Sequence, residues 1–185
     1  MSKKTTQKAF TLLELLVVIA ILALLAGLGL RVFGTVQQKS RDTRRKQELQ
    51  SISKSLEAYY NDFKRYPYSD DGRIVGCGAN AAEPCTWGGI WQNSTNQTLY
   101  MGELPTDPSS NRYFYLADSQ GLSYSIFTYL ENREDALAVV NQDGNPAYYA
   151  NTYCRIIDGV LTASTCNYVV RSTNAANDLN VVDSY

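Results

Sequence analysis

The hydrophobic pattern begins with a long apolar segment that contains one charge. Residues 10–30 have Glu14 as their only charged residue, and residues 15–30 carry no charge. At about 1.5 Å per residue, a helix over residues 10–30 spans roughly 30 Å, the thickness of the hydrocarbon core of a bilayer. Ionisable groups inside a membrane are expensive and usually functional. The pattern predicts a membrane-spanning helix in which Glu14 needs a partner, and the rest of this helix offers none nearby.

A second apolar pattern predicts that the helix continues beyond the membrane. Spacings of three and four residues place one stripe on a single helix face: Leu49, Ile52, Leu56, Tyr59 and Phe63. No proline precedes Pro67, so a single helix over residues 10–64 is expected, about 80 Å long. Residues 37–48 contain no apolar side chain. We expect them to be solvent-exposed or weakly ordered, and the stripe to hold the globular region.

The pattern after Pro67 changes to turns and short alternating runs. Residues 68–98 are typical of an irregular loop region, because they are rich in Gly, Asn and Ser. Strands are predicted at the following positions: 113–116, 122–130, 153–157, 160–162 and 167–170, with turns at 118–121 and at Asp158-Gly159. Residues 132–140 fit either a short helix or extended chain. The fold class is therefore α+β, with a long N-terminal helix packed on a small antiparallel sheet.

Charge is distributed unevenly along the chain. Residues 37–66 contain eight Lys and Arg against four acidic residues, whereas residues 67–185 contain five Arg against thirteen acidic residues. The two regions can attract each other, or the opposite region of a neighbouring subunit. A basic run can also bind acidic lipid headgroups or nucleic acid, although a solvated helix face is the favoured interpretation. This run comprises Arg41, Arg44, Arg45 and Lys46.

Four cysteines lie in the region expected outside the membrane: Cys77, Cys85, Cys154 and Cys166. An even number of exported cysteines favours disulfides, with three possible connectivities. Closeness in sequence favours Cys77–Cys85 and Cys154–Cys166. Zinc is the alternative, but the chain has neither a Cys-x-x-Cys spacing nor a histidine.

No group of residues indicates catalysis. The absence of histidine removes the commonest general base and the Ser-His and Cys-His pairs. The chain also has no glycine-rich phosphate loop, and the adjacent acids Asp70 and Asp71 are typical of a solvated turn. We therefore expect no enzyme and no bound cofactor.

The N-terminal residues carry a resemblance to a known family. Residues 9–15 (AFTLLEL) resemble the type III signal sequence of type IV prepilins and type II secretion pseudopilins. The resemblance implies that a prepilin peptidase cuts between Ala9 and Phe10, methylates Phe10, and leaves Glu14 as the fifth residue. In a filament, the amine of one subunit then neutralises the Glu14 carboxylate of its neighbour. Ala9 departs from the family pattern, which usually has glycine before the cleaved bond.

Two other interpretations of the apolar segment are weaker. An uncleaved signal anchor needs neither Phe10 nor Glu14. A secretory signal peptide needs small residues before its cleavage site, whereas Leu24-Leu25-Ala26 contains a bulky one. Lys3, Lys4 and Lys8 give the leader a positive charge, which places it in the cytoplasm and the C-terminal region outside.

A second resemblance covers the entry to the predicted sheet. Residues 103–116 (ELPTDPSSNRYFYL) are similar to the Leu-Pro-x-Asp-Pro and Tyr-x-Tyr segment of major pseudopilins and many pilins. Some major pseudopilins bind calcium after this segment. The weak candidates for calcium ligands here are Asp107, Asp118, Asp143 and Asn145, although plain turns are the favoured interpretation.

Together these patterns predict a structural subunit of a type IV pilus-like filament. The alternatives are a pseudopilin of a type II secretion or DNA-uptake machine, and a monomeric membrane-anchored binding domain. Four segments are expected: a leader (1–9), a transmembrane and filament-core helix (10–36), its continuation (37–66) and an exported globular domain (67–185). The expected partners are identical subunits, the prepilin peptidase, an inner-membrane assembly platform and, before assembly, membrane lipid.

Overall fold

The computed structural model describes residues 10–157, 160–175 and 181–183. These residues form one α-helix, α1 (Leu12–Phe63), and a 3-10 turn (Ala79–Ala81). Their twelve strands are β1 (Ser69–Asp70), β2 (Arg73–Cys77), β3 (Glu83–Pro84), β4 (Trp91–Gln92), β5 (Leu99–Met101), β6 (Phe114–Ala117), β7 (Tyr124–Thr128), β8 (Ala147–Tyr149), β9 (Arg155–Ile157), β10 (Val160–Thr162), β11 (Tyr168–Arg171) and β12 (Val181–Asp183). The α+β fold class is confirmed.

The chain has two compact units, Met1–Gln38 and Lys39–Tyr185, and α1 contributes to both. The helix ends where Lys64 adopts a left-handed conformation (φ 57°) and its amide donates to the Tyr60 carbonyl at 2.7 Å. Pro67 follows three residues later. Among the described residues, no helix combines the length and the apolar content that a membrane crossing requires.

The sheets are antiparallel, as expected. One three-stranded sheet has the order β11-β7-β6, in which Ile126 of β7 pairs with Tyr115 and Val170. A second three-stranded sheet has the order β1-β2-β3, and the pairs β4-β5, β8-β12 and β9-β10 complete the pairing of the named strands. The expected loop region 68–98 therefore contains strands β1 to β4. They span two to five residues each, and the Gly, Asn and Ser residues around them are typical of loops.

Strand β7 is buried on both faces and separates two hydrophobic cores. Tyr124 and Ile126 face the first core, which contains the α1 stripe residues Leu49, Ile52, Leu56 and Tyr59. Phe127 faces the second core, together with Tyr148 and Tyr149 of β8 and the cysteines Cys154 and Cys166. The stripe is confirmed as the buried face of α1, except that Phe63 remains partly exposed and stacks on Tyr59 with ring centroids 4.5 Å apart.

The predicted strands near the C-terminus correspond to β9, β10 and β11. The turn expected at Asp158-Gly159 lies outside the described residues. Residues 132–140 form turns and end at an isolated β-bridge between Val140 and Pro146. Asp118 makes the predicted turn before β7, because its carboxylate accepts hydrogen bonds from the amides of Gln120, Leu122 and Ser123.

Candidate processing and assembly site

Glu14 has a partner within its own chain. Thr11 precedes the first helical residue, and both its amide and its hydroxyl donate to Glu14 Oε2 at 2.9 Å. In return, the Glu14 amide donates to Thr11 Oγ1 at 3.2 Å. This reciprocal pair is a capping box, the arrangement that a Thr-x-x-Glu sequence forms at the start of a helix. The expectation that the helix offers no partner nearby is therefore wrong.

The capping box is compatible with cleavage before Phe10. Removal of residues 1–9 would leave the Thr11 amide intact, because Phe10 would carry the new amine. Ala9 and the leader lie outside the described residues, whereas Phe10 is exposed. The Thr-x-x-Glu spacing is itself a sequence signal for a capping box, which the hydrophobic pattern and the charge of Glu14 do not indicate.

The apolar side chains that follow Glu14 are not covered by any of the described residues. They are exposed in the structure: Leu15, Leu16, Val17, Val18, Ile19, Ile21, Leu22, Leu24 and Leu25. An exposed apolar surface of this length marks a site of contact with lipid or with other protein.

A buried ionic cluster lies farther along α1. It comprises Asp42 and Arg45 of α1, Asp107 from the connection between β5 and β6, and Glu131 after β7. Arg45 has no exposed surface, and its guanidinium donates to Asp107 (2.6 and 3.0 Å), Asp42 (2.7 Å) and Glu131 (2.8 Å). Asp42 also accepts from the backbone amides of Glu131 and Asn132. We call these four residues the Arg45 cluster.

The pKa values of the cluster follow from these contacts. Burial by itself would lower the pKa of Arg45, but its hydrogen bonds and ion pairs with Asp107, Glu131 and Asp42 outweigh burial and raise the pKa. Hydrogen bonds from Arg41 and then Arg45 lower the pKa of Glu131 to about 2, against an opposing effect of burial. Arg45 and Glu131 are therefore both charged near neutral pH.

The Arg45 cluster corrects the expectation for residues 37–48. This segment was expected to be solvent-exposed and to leave docking to the apolar stripe, yet Asp42 and Arg45 are buried against the globular region. Nearby, Lys46 donates to both carboxylate oxygens of Asp135 at 2.7 Å. Basic residues of the segment 37–66 thus form ion pairs with acidic residues of the segment 67–185 in the same chain.

The basic run is consequently engaged by the chain's own acids. Arg41 pairs with Glu131, Arg45 and Lys46 pair as described above, and the exposed Arg44 pairs with Glu48 one turn along α1. Side chains held in this way are poorly placed to contact nucleic acid or lipid headgroups, which weakens that interpretation of the run.

Tyrosine hydroxyls form a second set of contacts with α1. Tyr113 donates to Glu48, Tyr66 donates to Glu57 at 3.0 Å, and Tyr100 donates to Asp62 at 2.6 Å. Burial, and then the hydrogen bond to Asp62, raises the pKa of Tyr100 to about 12. The globular region therefore docks on α1 through apolar packing, buried ion pairs and these hydroxyl–carboxylate bonds together.

The four weak calcium candidates have other partners or lie in separate turns. Both oxygens of Asp107 accept from Arg45, and Asp118 accepts from the amides of its own turn. Asp143 and Asn145 lie in a turn whose amides donate to the Asn141 side chain. No group of three or more acidic or cysteine side chains suited to a metal occurs within the described ranges.

Two disulfides are present in the structure. Cys77 is bonded to Cys85 and Cys154 to Cys166, which are the pairings that closeness in sequence favours. The first closes a loop beside β2 and β3. The second is fully buried in the second core beside Phe127.

The capped apolar helix and the sheet that docks on its distal part define the α+β fold of a pilin-like subunit. Comparison with known families gives two matches. The model of the prokaryotic N-terminal methylation motif matches residues 4–30, and the model of type II secretion system (T2SS) protein G matches residues 31–143. The chain belongs to the type II secretion system protein G family.

Curated relatives agree with this assignment. The chain is similar to proteins named type II secretion system core protein G from Pseudomonas aeruginosa (30% identity), Aeromonas hydrophila (31%) and Vibrio cholerae (30%). The first two alignments cover 68% of this chain and 84% of each relative, and the third covers 69% and 83%. No solved structure gives a significant match.

Proposed function

We propose that the chain is a pseudopilin, a subunit of a short filament in a type II secretion machine. The observation that carries this proposal is the protein G match over residues 31–143, because the methylation motif at residues 4–30 concerns only the N-terminal segment. The expectation from the sequence favoured a pilus subunit and kept a pseudopilin as its alternative. The relatives support the alternative better.

The N-terminal geometry supports a mechanism of assembly. A prepilin peptidase removes residues 1–9 and methylates Phe10, and the apolar residues after Glu14 anchor the subunit in the membrane until it enters the filament. Both hydrogen bonds from Thr11 go to Glu14 Oε2, and we assign Oε1 to the amine of a neighbouring subunit. Such a pair is favourable because each charge alone would be expensive in an apolar surrounding.

The proposal also specifies how the chain is oriented across the membrane and which partners it has. The leader lies in the cytoplasm, since Lys3, Lys4 and Lys8 favour that side, and the disulfide-bonded globular region lies outside. The partners are other pseudopilin subunits, the prepilin peptidase and an inner-membrane assembly platform. The chain acts by assembly and not as an enzyme.

The first test is the mature N-terminus. Mass spectrometry of the protein from cell membranes should find a chain that begins with methylated Phe10. A mature chain that still begins with Met1 would favour the uncleaved anchor and the monomeric binding domain.

The second test separates a pseudopilus from a pilus. Deletion of the gene should abolish secretion of folded enzymes into the medium and leave long surface fibres unchanged in electron micrographs. Complementation with the wild-type gene should restore secretion. Loss of surface fibres with normal secretion would contradict the proposal and favour the pilus.

A further inference from the structure

The hairpin formed by β4 and β5 presents an uncharged surface. Residues 84–102 contain no Asp, Glu, Lys or Arg. At the base of the hairpin, Trp91 is fully buried in the first core, where it stacks on Tyr59 at 5.8 Å. Ile90 and Leu99 beside it are 62% and 58% exposed. The hairpin is thus anchored by a buried aromatic side chain, and its apolar edges face solvent without charged neighbours in sequence.

The tip of this hairpin contains two consecutive Asn-x-Ser/Thr sequences. Residues 93–95 read Asn-Ser-Thr and residues 96–98 read Asn-Gln-Thr. This tripeptide is the acceptor signal for N-linked glycans, and it requires an accessible asparagine amide in an exported surface loop. The sequence by itself does not distinguish between the two.

The structure distinguishes them. Asn93 is 3% exposed, and its Oδ1 accepts the amides of Thr95 (2.8 Å) and Asn96 (3.2 Å), so this side chain maintains the turn. Asn96 is exposed. Its Oδ1 accepts a hydrogen bond from the amide of Thr98 at 3.0 Å. This bond holds Thr98, the hydroxyl residue of the tripeptide, close to Asn96.

We propose that Asn96 is the acceptor of an N-linked glycan and that Asn93 is not. The inference rests on the part of the proposed function that places the globular region outside the cytoplasm. A hydrophilic saccharide at this tip would add polar surface to a hairpin whose Ile90 and Leu99 side chains are exposed, and exposed apolar surface of this kind favours association.

The reaction is a glycosyl transfer without redox change. The donor is a saccharide linked to a polyprenyl pyrophosphate, and the catalyst is a membrane glycosyltransferase. A bond forms between Asn96 Nδ2 and the anomeric carbon of the saccharide. The bond between that carbon and the pyrophosphate oxygen breaks, and the lipid pyrophosphate leaves with the electron pair. One amide proton passes to a base of the transferase.

The test uses the full-length protein purified from its native membranes. Chymotrypsin should release a peptide containing both asparagines, since Trp91 and Leu99 flank them, and electron-transfer fragmentation locates the glycan. We expect a glycan on Asn96 and none on Asn93. Thr98→Val should abolish the glycosylated species completely, whereas the matched control Thr95→Val should leave its amount unchanged. Circular dichroism should show both variants folded.

The outcomes separate this inference from the proposed function. A protein with Phe10 at its N-terminus and both disulfides formed, but with unmodified Asn96, refutes the glycan and leaves the pseudopilin proposal intact. A glycan on Asn93 refutes the structural distinction. A protein that retains its leader and four reduced cysteines refutes the proposed export, and the glycan with it.

Discussion

Arg45 and Asp107 form a completely buried ion pair, with 2.6 Å between Arg45 Nε and Asp107 Oδ2 and no exposed surface on either side chain. The two residues are 62 positions apart, so the pair fixes α1 against the connection between β5 and β6. Burying charges is costly, and this pair is tolerated because Asp42 and Glu131 complete the hydrogen bonding of the guanidinium. A predominantly polar segment of α1 is thereby part of the folded core.

Removal of the buried Arg45 guanidinium should strongly lower the stability of the folded globular region. Arg45→Met leaves Asp42 and Asp107 buried without their cation, and breaking a buried pair in this way costs about 3–5 kcal/mol. Urea unfolding of a protein that begins at residue 37 measures the effect. The matched variant Arg44→Met removes an exposed arginine and should change stability by less than about 0.5 kcal/mol. Equal stability of the two variants would contradict the role of the cluster.

The apolar stripe should contribute independently. Leu56 is fully buried in the first core, and truncation of such a side chain to alanine costs about 2–5 kcal/mol. Thermal unfolding of Leu56→Ala should show this loss, whereas Arg44→Ala should resemble the wild type. A wild-type melting curve for Leu56→Ala would mean that the globular region does not dock on this face.

The low pKa of Glu131 predicts loss of stability in acid. A carboxylate whose pKa falls from 4.5 to about 2 on folding stabilises the protein above about pH 4.5, and this contribution disappears as the pH falls toward 2. Unfolding free energies measured between about pH 5 and 2 should therefore decline. Glu131→Gln should flatten that decline, and the control Glu134→Gln, in the same turn region, should retain it. An unchanged slope in Glu131→Gln would assign the acid sensitivity to other groups.

The two disulfides should differ in their effect on stability. Loops of 8 and 12 residues contribute about 2–3 kcal/mol each on the chain-entropy estimate. Replacement of Cys154 and Cys166 by alanine should cost more than replacement of Cys77 and Cys85, because both cysteines of the former pair are fully buried in the second core, whereas Cys77 is only partly buried against the first. Non-reducing peptide mapping checks the pairing. Four free thiols, or a destabilisation larger for the Cys77–Cys85 pair, would contradict this prediction.

The capping box allows the charge of Glu14 to be tested separately from helix initiation. Glutamine also completes a Thr-x-x-Gln capping box, so Glu14→Gln should preserve the start of α1 and membrane insertion while it abolishes filament assembly. Glu14→Ala removes both the charge and the cap. Membrane fractionation measures insertion, and secretion of protein into the medium measures filament assembly. Normal secretion by the Glu14→Gln strain would exclude pairing of this carboxylate with a neighbouring amine.

Local patterns in the sequence were sufficient for several elements. The spacing of Leu49, Ile52 and Leu56 predicted the buried face of α1, since helix periodicity depends only on residues three and four apart. Alternation likewise predicted a strand over residues 122–130, which contain β7. The Thr11–Glu14 capping box was equally readable, because both partners lie within one helical turn.

The tertiary structure alone decided how the polar part of α1 is used. Residues 37–48 appear solvated in any local pattern, because they lack apolar side chains, and their burial depends on Asp107 and Glu131, which are 62 and 86 positions from Arg45. The burial of β7 on both faces likewise depends on β8 and on the Cys154–Cys166 disulfide. The sequence by itself determined which faces and motifs the chain offers. Ion pairs between residues far apart in sequence leave no periodic pattern in it. Only the folded chain therefore determines which acidic side chain pairs with which basic one.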